Sequence, residues 1–148
     1  MRRNLRAAVD PAAKTGNYLN SVLALREARA RGAYEALMLD AAGRVGEGSS
    51  SNVFAVRDGR LETPPEGGIL EGVTRRVVLD LAAALGLPAV ELPLLPADLL
   101  SADELFLTST TRELVPVVRV DGRPIGGGRP GPWTLRLLEA FRRRASGP

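Results

Sequence analysis

Val45-Gly-Glu-Gly-Ser-Ser-Ser-Asn-Val-Phe-Ala-Val-Arg-Asp-Gly-Arg-Leu-Glu-Thr63 is the stretch from which the rest of the chain can be read. Asn52 to Arg57 is apolar and β-branched enough for a strand. Asp58-Gly59 is a two-residue hairpin signal, because such turns need positive φ at both central positions. Arg60 to Thr63 then returns antiparallel to it. Upstream, Val45 to Glu47 suits a short strand and Gly48 to Ser51 a polar loop. Before these, Glu35 to Asp40 reads as a strand that turns at Ala41 to Arg44.

Helical patterns lie on both sides of this core. Leu19, Val22, Leu23 and Arg26 recur at helical spacing within Tyr18 to Arg31, and Gly32 is the stop. Val73, Val77, Val78, Leu81 and Leu85 form one apolar face of a second helix, which Gly86 ends. A strand near Ala89 to Leu92 and a short helical turn after Pro96 come next. Strands are then expected at Leu105 to Thr108 and at Val115 to Val120, with Asp121-Gly122 as a second hairpin turn. The Gly- and Pro-rich loop Gly126 to Gly131 leads into an amphipathic helix from Trp133 to Ala145. Residues 1–13 read as an extended lead-in. Strands mixed with three main helices indicate an α/β domain with substantial antiparallel pairing.

Composition narrows the chemistry. The 148 residues contain no cysteine and no histidine. Disulfides, thiolate metal sites, a cysteine nucleophile and every histidine-based general base are therefore excluded. Catalysis must rest on lysine, carboxylates, hydroxyls or a borrowed cofactor, and no metal is expected. The basic residues comprise 19 arginines and a single lysine, Lys14. A pI near 10.1 arises from a formal charge of only +3. Nothing titrates between the carboxylates and the α-amino group, so a small excess persists to high pH. The charges alternate in sign without a basic stripe or stacking-aromatic motif, so no nucleic-acid partner is expected. No apolar run reaches the roughly 20 residues of a membrane span, and the basic N-terminus lacks the apolar core of a secretory signal. A cytoplasmic location is the expectation.

Four polar segments at the ends of these elements could carry chemistry. Lys14 stands just ahead of the first helix, where enclosure could lower its pKa enough to supply the neutral amine of imine chemistry. Glu47 is a carboxylate inside the glycine- and serine-rich stretch. Ile69-Leu-Glu-Gly-Val-Thr-Arg75 opens the second helix, whose free N–H groups and the Thr74 hydroxyl suit a phosphate. Thr108-Ser-Thr-Thr-Arg-Glu113 is a hydroxyl cluster after a strand. Taken singly, each has an ordinary explanation: a solvated lysine, a loop carboxylate, a helix cap and turn chemistry.

Together, and in this order, the segments resemble the class IV aminotransferases, pyridoxal-phosphate enzymes that include branched-chain and D-amino-acid aminotransferases and aminodeoxychorismate lyase. The matching stretches are Lys14-Thr-Gly-Asn-Tyr-Leu, Tyr34-Glu-Ala-Leu-Met-Leu-Asp, Gly46-Glu-Gly-Ser-Ser-Ser-Asn-Val-Phe, Leu70-Glu-Gly-Val-Thr-Arg, Ala102-Asp-Glu-Leu-Phe-Leu-Thr-Ser-Thr-Thr, and Val115-Pro-Val followed by Asp121-Gly. The resemblance implies a mixed, largely antiparallel sheet or pseudo-barrel flanked by helices, the C-terminal domain of fold-type IV enzymes. Residues 14–148 would be the cofactor-binding domain, 1–13 the interdomain lead-in, and the small N-terminal domain would be absent.

The resemblance also implies roles. Lys14 would be the Schiff-base lysine and proton shuttle of pyridoxal 5'-phosphate, and Glu47 the acid at its ring nitrogen. Tyr18 would be the phenol near the ring oxygen and Leu70 the aliphatic support beneath the ring. Val73, Thr74 and Thr110 would hold the phosphate. Asn52 reads as an amide that shapes the Glu47 loop, and Arg75 as the partner of a carboxylate on the helix surface, with the phosphate as the alternative. Arg112 has no role that the residues define, though its segment leans toward the lyase. The implied activity is transamination between an amino acid and a 2-oxo acid, branched-chain-like or D-amino-acid-like in substrate, in a homodimer. Aminodeoxychorismate lyase chemistry and a non-catalytic cofactor-binding remnant are the alternatives.

Overall fold

The computed structural model describes residues 18–66, 69–70 and 72–147. Its main sheet has the strand order β5-β4-β3-β6-β7, with β3 (Asn52–Arg57) at the centre. β3 pairs antiparallel with β4 (Arg60–Thr63) and with β6 (Glu104–Ser109), and β6 pairs antiparallel with β7 (Glu113–Pro116). The hairpin between β3 and β4 is the one the Asp-Gly signal implies: Asp58 has φ 50° and Gly59 φ 71°. β5 (Ala89–Glu91) lies parallel to β4. A parallel neighbour needs a crossover, and α2 (Val73–Ala84) supplies it.

Alternation along the central strands divides the interior into two layers. Val53, Ala55, Leu105 and Leu107 pack with Val45, Leu94, Leu99 and Ile125 on one side. Phe54, Val56, Phe106 and Leu114 face Val78 and Ala82 of α2 and Leu137 of α4 (Pro132–Ala145) on the other. The Phe54 and Phe106 rings stack at 5.1 Å. Burying each such side chain contributes about 1.5–3 kcal/mol. Outside this sheet, β1 (Leu37–Leu39) pairs with β2 (Val45–Gly48), α1 (Leu19–Ala30) precedes them, and α3 (Pro96–Leu100) follows β5.

Two expectations need correction. The single strand foreseen over Val115 to Val120 is two elements. β7 ends at Pro116, and one further bond to β6 follows it, from the Val117 N–H to the Leu105 carbonyl at 2.7 Å. The chain then forms a separate hairpin, β8 (Arg119–Val120) with β9 (Arg123–Pro124), around Asp121-Gly122. The apolar faces also differ from their periodicity. Leu19, Val22 and Leu23 of α1 are exposed and Ala24 is its buried residue. On α2, Val73 is 76% exposed, while Thr74, Arg75, Val78 and Ala82 are buried. The start of α2 therefore turns polar groups inward and an apolar one outward.

Candidate cofactor site

Glu47 leaves β2 directly against the segment that opens α2. Its Oε2 accepts the main-chain N–H of Leu70 at 2.9 Å. The carbonyl of the same residue accepts from Nδ2 of Asn52, also at 2.9 Å. Leu70 is thus held at both ends by two residues that lie on either side of the serine turn. Asn52 acts on Leu70 rather than on the Glu47 loop for which the sequence suggested it. It can do so because it begins β3 on the Phe54 face, the face covered by α2.

Gly72 completes this arrangement. A Cβ there would collide with Oδ1 of Asn52, so the chain can pass this close only without a side chain. Gly72 is the N-cap of α2, with extended backbone (φ −77°, ψ 134°) and no side-chain cap. The first N–H groups of a helix have no intrahelical acceptor, and there is no acidic residue in the first turn to compete for them. Thr74 lies buried in that turn. The start of α4 is different. Glu104 on β6 accepts the N–H groups of Trp133 (2.9 Å) and Thr134 (2.7 Å) together with the Thr134 hydroxyl (2.7 Å). One helix start is thus filled by a buried carboxylate, and the other, among the described residues, has no side-chain cap.

The structure sets the Glu47 carboxylate on Leu70, which leads into the Val73–Thr74 turn. Thr110 sits exposed on the turn after β6, two residues beyond Thr108, which is the register partner of Asn52. Among the described residues the buried Thr108 hydroxyl has no hydrogen-bond partner, a group that a bound polar ligand or water would satisfy. Tyr18 is the N-cap of α1 and 54% exposed. Lys14 lies outside the described residues. Arg75 does meet carboxylates, Glu66 at 3.3 Å and Glu91 at 2.9 Å, but from a buried position, 2% exposed, rather than on the helix surface.

Sequence reasoning missed Glu35. Its carboxylate accepts the N–H and hydroxyl of Ser49 and pairs with Arg112 at 2.9 Å. Burial opposes the charge of Arg112, and the interactions with Tyr34 and Glu35 outweigh it, so its pKa is raised above that of an ordinary arginine. The signal was a carboxylate just ahead of a strand, which has no distinctive spacing.

These donors fit a phosphorylated pyridine: an acid for the ring nitrogen, an apolar support and an uncapped helix start for the phosphate. The amino-transferase class IV family model matches residues 2–120. The chain belongs to the class IV aminotransferases. A branched-chain-amino-acid aminotransferase of Pseudomonas aeruginosa is 44% identical over 95% of this chain and 46% of its own length. A putative one from Methanocaldococcus jannaschii is 48% identical over 90% of this chain and 47% of its own. The crystal structure of the branched-chain amino acid aminotransferase from Thermobaculum terrenum, in its holo form with PLP, superposes with a TM-score of 0.94 at 39% identity. It covers 99% of this chain and 48% of that one. This class IV chain therefore spans about half the length of the relatives it matches. Among its described residues, no helix is long and apolar enough to cross a membrane.

Proposed function

We propose that the chain is the cofactor-binding part, residues 14–148 after a lead-in of 1–13, of a pyridoxal-phosphate-dependent aminotransferase that exchanges an amino group between an amino acid and a 2-oxo acid. The observation that carries this reading is the double anchoring of Leu70 by Glu47 and Asn52 immediately before the uncapped start of α2. It sets the Glu47 carboxylate on Leu70, two residues ahead of that helix start, which favours an acid, an apolar support and an anion site serving one cofactor. The relatives named above are branched-chain aminotransferases, and the Thermobaculum terrenum enzyme was solved with PLP. They favour transamination over lyase chemistry, and branched-chain amino acids are the first substrates to test.

In this reading, pyridoxal 5'-phosphate supplies the electron sink for charge released at the substrate's α-carbon. The residues of the chain bind and orient it. Lys14 would hold the cofactor through its aldehyde carbon and, once released from it, would move a proton between the substrate's α-carbon and the cofactor's C4′. Glu47 keeps the ring nitrogen protonated, because its negative charge favours the cationic form. Leu70 supports the ring face and Tyr18 lies by the ring oxygen. The Val73 N–H, Thr74 and Thr110 hold the phosphate, where the helix start favours negative charge. The working form is a homodimer.

The test is a titration of the full chain with pyridoxal phosphate. The absorbance band of lysine-linked cofactor is expected; borohydride should remove the band while fixing the cofactor to the chain, and Lys14→Ala should show neither. A folded protein that gives no band would overturn the assignment and favour a remnant without chemistry. Exchange between a branched-chain amino acid and 2-oxoglutarate, measured against pyruvate release from aminodeoxychorismate, then separates transferase from lyase.

A further inference from the structure

Glu35 and Arg112 form a partly buried ion pair that the proposed chemistry leaves unused. The Glu35 side chain is 6% exposed and its oxygen lies 2.9 Å from Nη2 of Arg112. A buried carboxylate needs such a cation together with further donors. Glu35 finds those donors in the serine turn, from the Ser49 N–H at 3.2 Å and the Ser49 hydroxyl. Arg112 reaches the same turn through Nη2, which lies 2.7 Å from Oγ of Ser50. Its Nε is 3.3 Å from Oγ of Ser109.

Segments 34–36, 49–51 and 109–112 thus meet at one pair of charges. Two of them adjoin site residues: Glu47 is two positions before Ser49, and Thr110 two before Arg112. The sheet does not join these turns, since the ladder between β3 and β6 ends at the pair Asn52 and Thr108. Beyond it, the two turns are registered by the ion pair and its hydroxyl contacts.

We propose that Arg112 and Glu35 are positioning residues that lock the Ser49–Ser51 turn to the turn between β6 and β7, and so hold Glu47 and Thr110 at the spacing one cofactor requires. This rests on the cofactor reading above. A guanidinium suits this place because Nη2 meets Glu35 and Ser50 while Nε, held in the same plane, meets Ser109; an ammonium offers donors from a single nitrogen.

The test compares the full chain with Arg112→Met, Glu35→Gln, the double variant and Arg112→Lys. The first readout needs no cofactor: amide hydrogen exchange across residues 49–51 and 109–112, alongside thermal melts. Each single neutral variant leaves a partner stranded and melts lower. The double variant removes both charges, so its melt recovers toward that of the wild type while exchange in both turns stays fast. The second readout is pyridoxal-phosphate affinity and the pH midpoint of the absorbance band. The double variant binds about ten- to a hundredfold more weakly, the scale on which small misplacements act, with a shifted midpoint. Arg112→Lys keeps the charge and, without the fork, shows weaker binding at a near-normal melt; it decides the matter if the double variant does not fold. Wild-type exchange in both turns, or wild-type affinity and midpoint in a folded double variant or in Arg112→Lys, overturns the lock. A wild-type chain with protected turns and no absorbance band overturns the cofactor reading instead.

Discussion

The Leu70 N–H points at the carboxylate of Glu47 over 2.9 Å, across 23 positions of sequence. The group proposed to set the ring's charge therefore also fixes the peptide proposed to lie beneath the ring. A glutamine could still accept that N–H but would carry no charge. Glu47→Gln is expected to fold with a melting temperature close to that of the wild type. Its transamination rate should fall by about a hundredfold, the size typical of removing one preorganised electrostatic partner. Glu47→Ala should show both defects. Circular dichroism melts beside single-turnover kinetics distinguish the two variants, and a Glu47→Gln enzyme with normal turnover would remove Glu47 from the ring.

Asn52 and Gly72 form a second coupled pair. Asn52→Leu leaves the Leu70 carbonyl without its 2.9 Å donor, at a cost of about 1–3 kcal/mol if the group stays buried. Gly72→Ala drives a methyl into Oδ1 of Asn52 and should displace the start of α2. Phosphate-dependent binding should then weaken, seen as a loss of pyridoxal phosphate affinity with little change for pyridoxal. Shortening the obstacle in Asn52→Ala/Gly72→Ala should restore part of that affinity. If the single and double variants bind alike, the contact does not govern the helix start.

What the sequence made legible follows from the range of the interactions involved. Both Asp-Gly hairpins, the central strand Asn52–Arg57 and the end of α2 near Gly86 are set by neighbours in sequence, and all were found. The segments holding Glu47, Leu70 and Thr74 could be picked out for the same reason. Their convergence could not, because it depends on a side chain finding a main-chain group 23 residues away. Glu35 was invisible for a related reason: its partner Arg112 is 77 positions distant. Arg75 shows another limit. Its carboxylate partners were foreseen, but its burial depends on Glu66 and Glu91 lying beside the first turn of α2, which no local pattern reveals. The exposed Leu19, Val22 and Leu23 show that helical spacing fixes a face without fixing what covers it.

Glu104 should be among the residues on which stability depends most. It uses its oxygens on the Trp133 and Thr134 N–H groups and the Thr134 hydroxyl, all from a buried position. Glu104→Ala strands these donors and removes a favourable charge at a helix start, for an expected loss of about 3 kcal/mol. Thr134→Val removes one contact and should cost about 1 kcal/mol. Gly131→Ala should behave like Glu104→Ala, since its added methyl meets the Glu104 side chain. Urea unfolding gives the ranking, and an Ala variant at 104 as stable as the wild type would show that α4 needs no cap.

Acid should loosen the contact between α3 and the end of β3 through Asp98. Its carboxylate accepts the Leu95 N–H at 2.7 Å, which caps α3, and pairs with Arg57 at 3.1 Å. The main-chain bond from Leu95, then the bond to Arg57, hold its pKa below the ordinary aspartate value of 3.8. A group with a depressed folded pKa contributes stability that is fully present above its unfolded pKa and is lost as pH falls through the folded one. Stability from Asp98 should therefore be intact at pH 6 and decline below about pH 4, near the unfolded aspartate value. Asp98→Asn lowers the melting temperature at pH 6, and the gap to the wild type should shrink steadily toward pH 3. Arg57 also bonds Glu62, at 2.7 Å, so Arg57→Met confounds two partners and is the poorer probe. A gap between wild type and Asp98→Asn that is constant from pH 6 to pH 3 would mean that the ionised carboxylate contributes nothing beyond its shape.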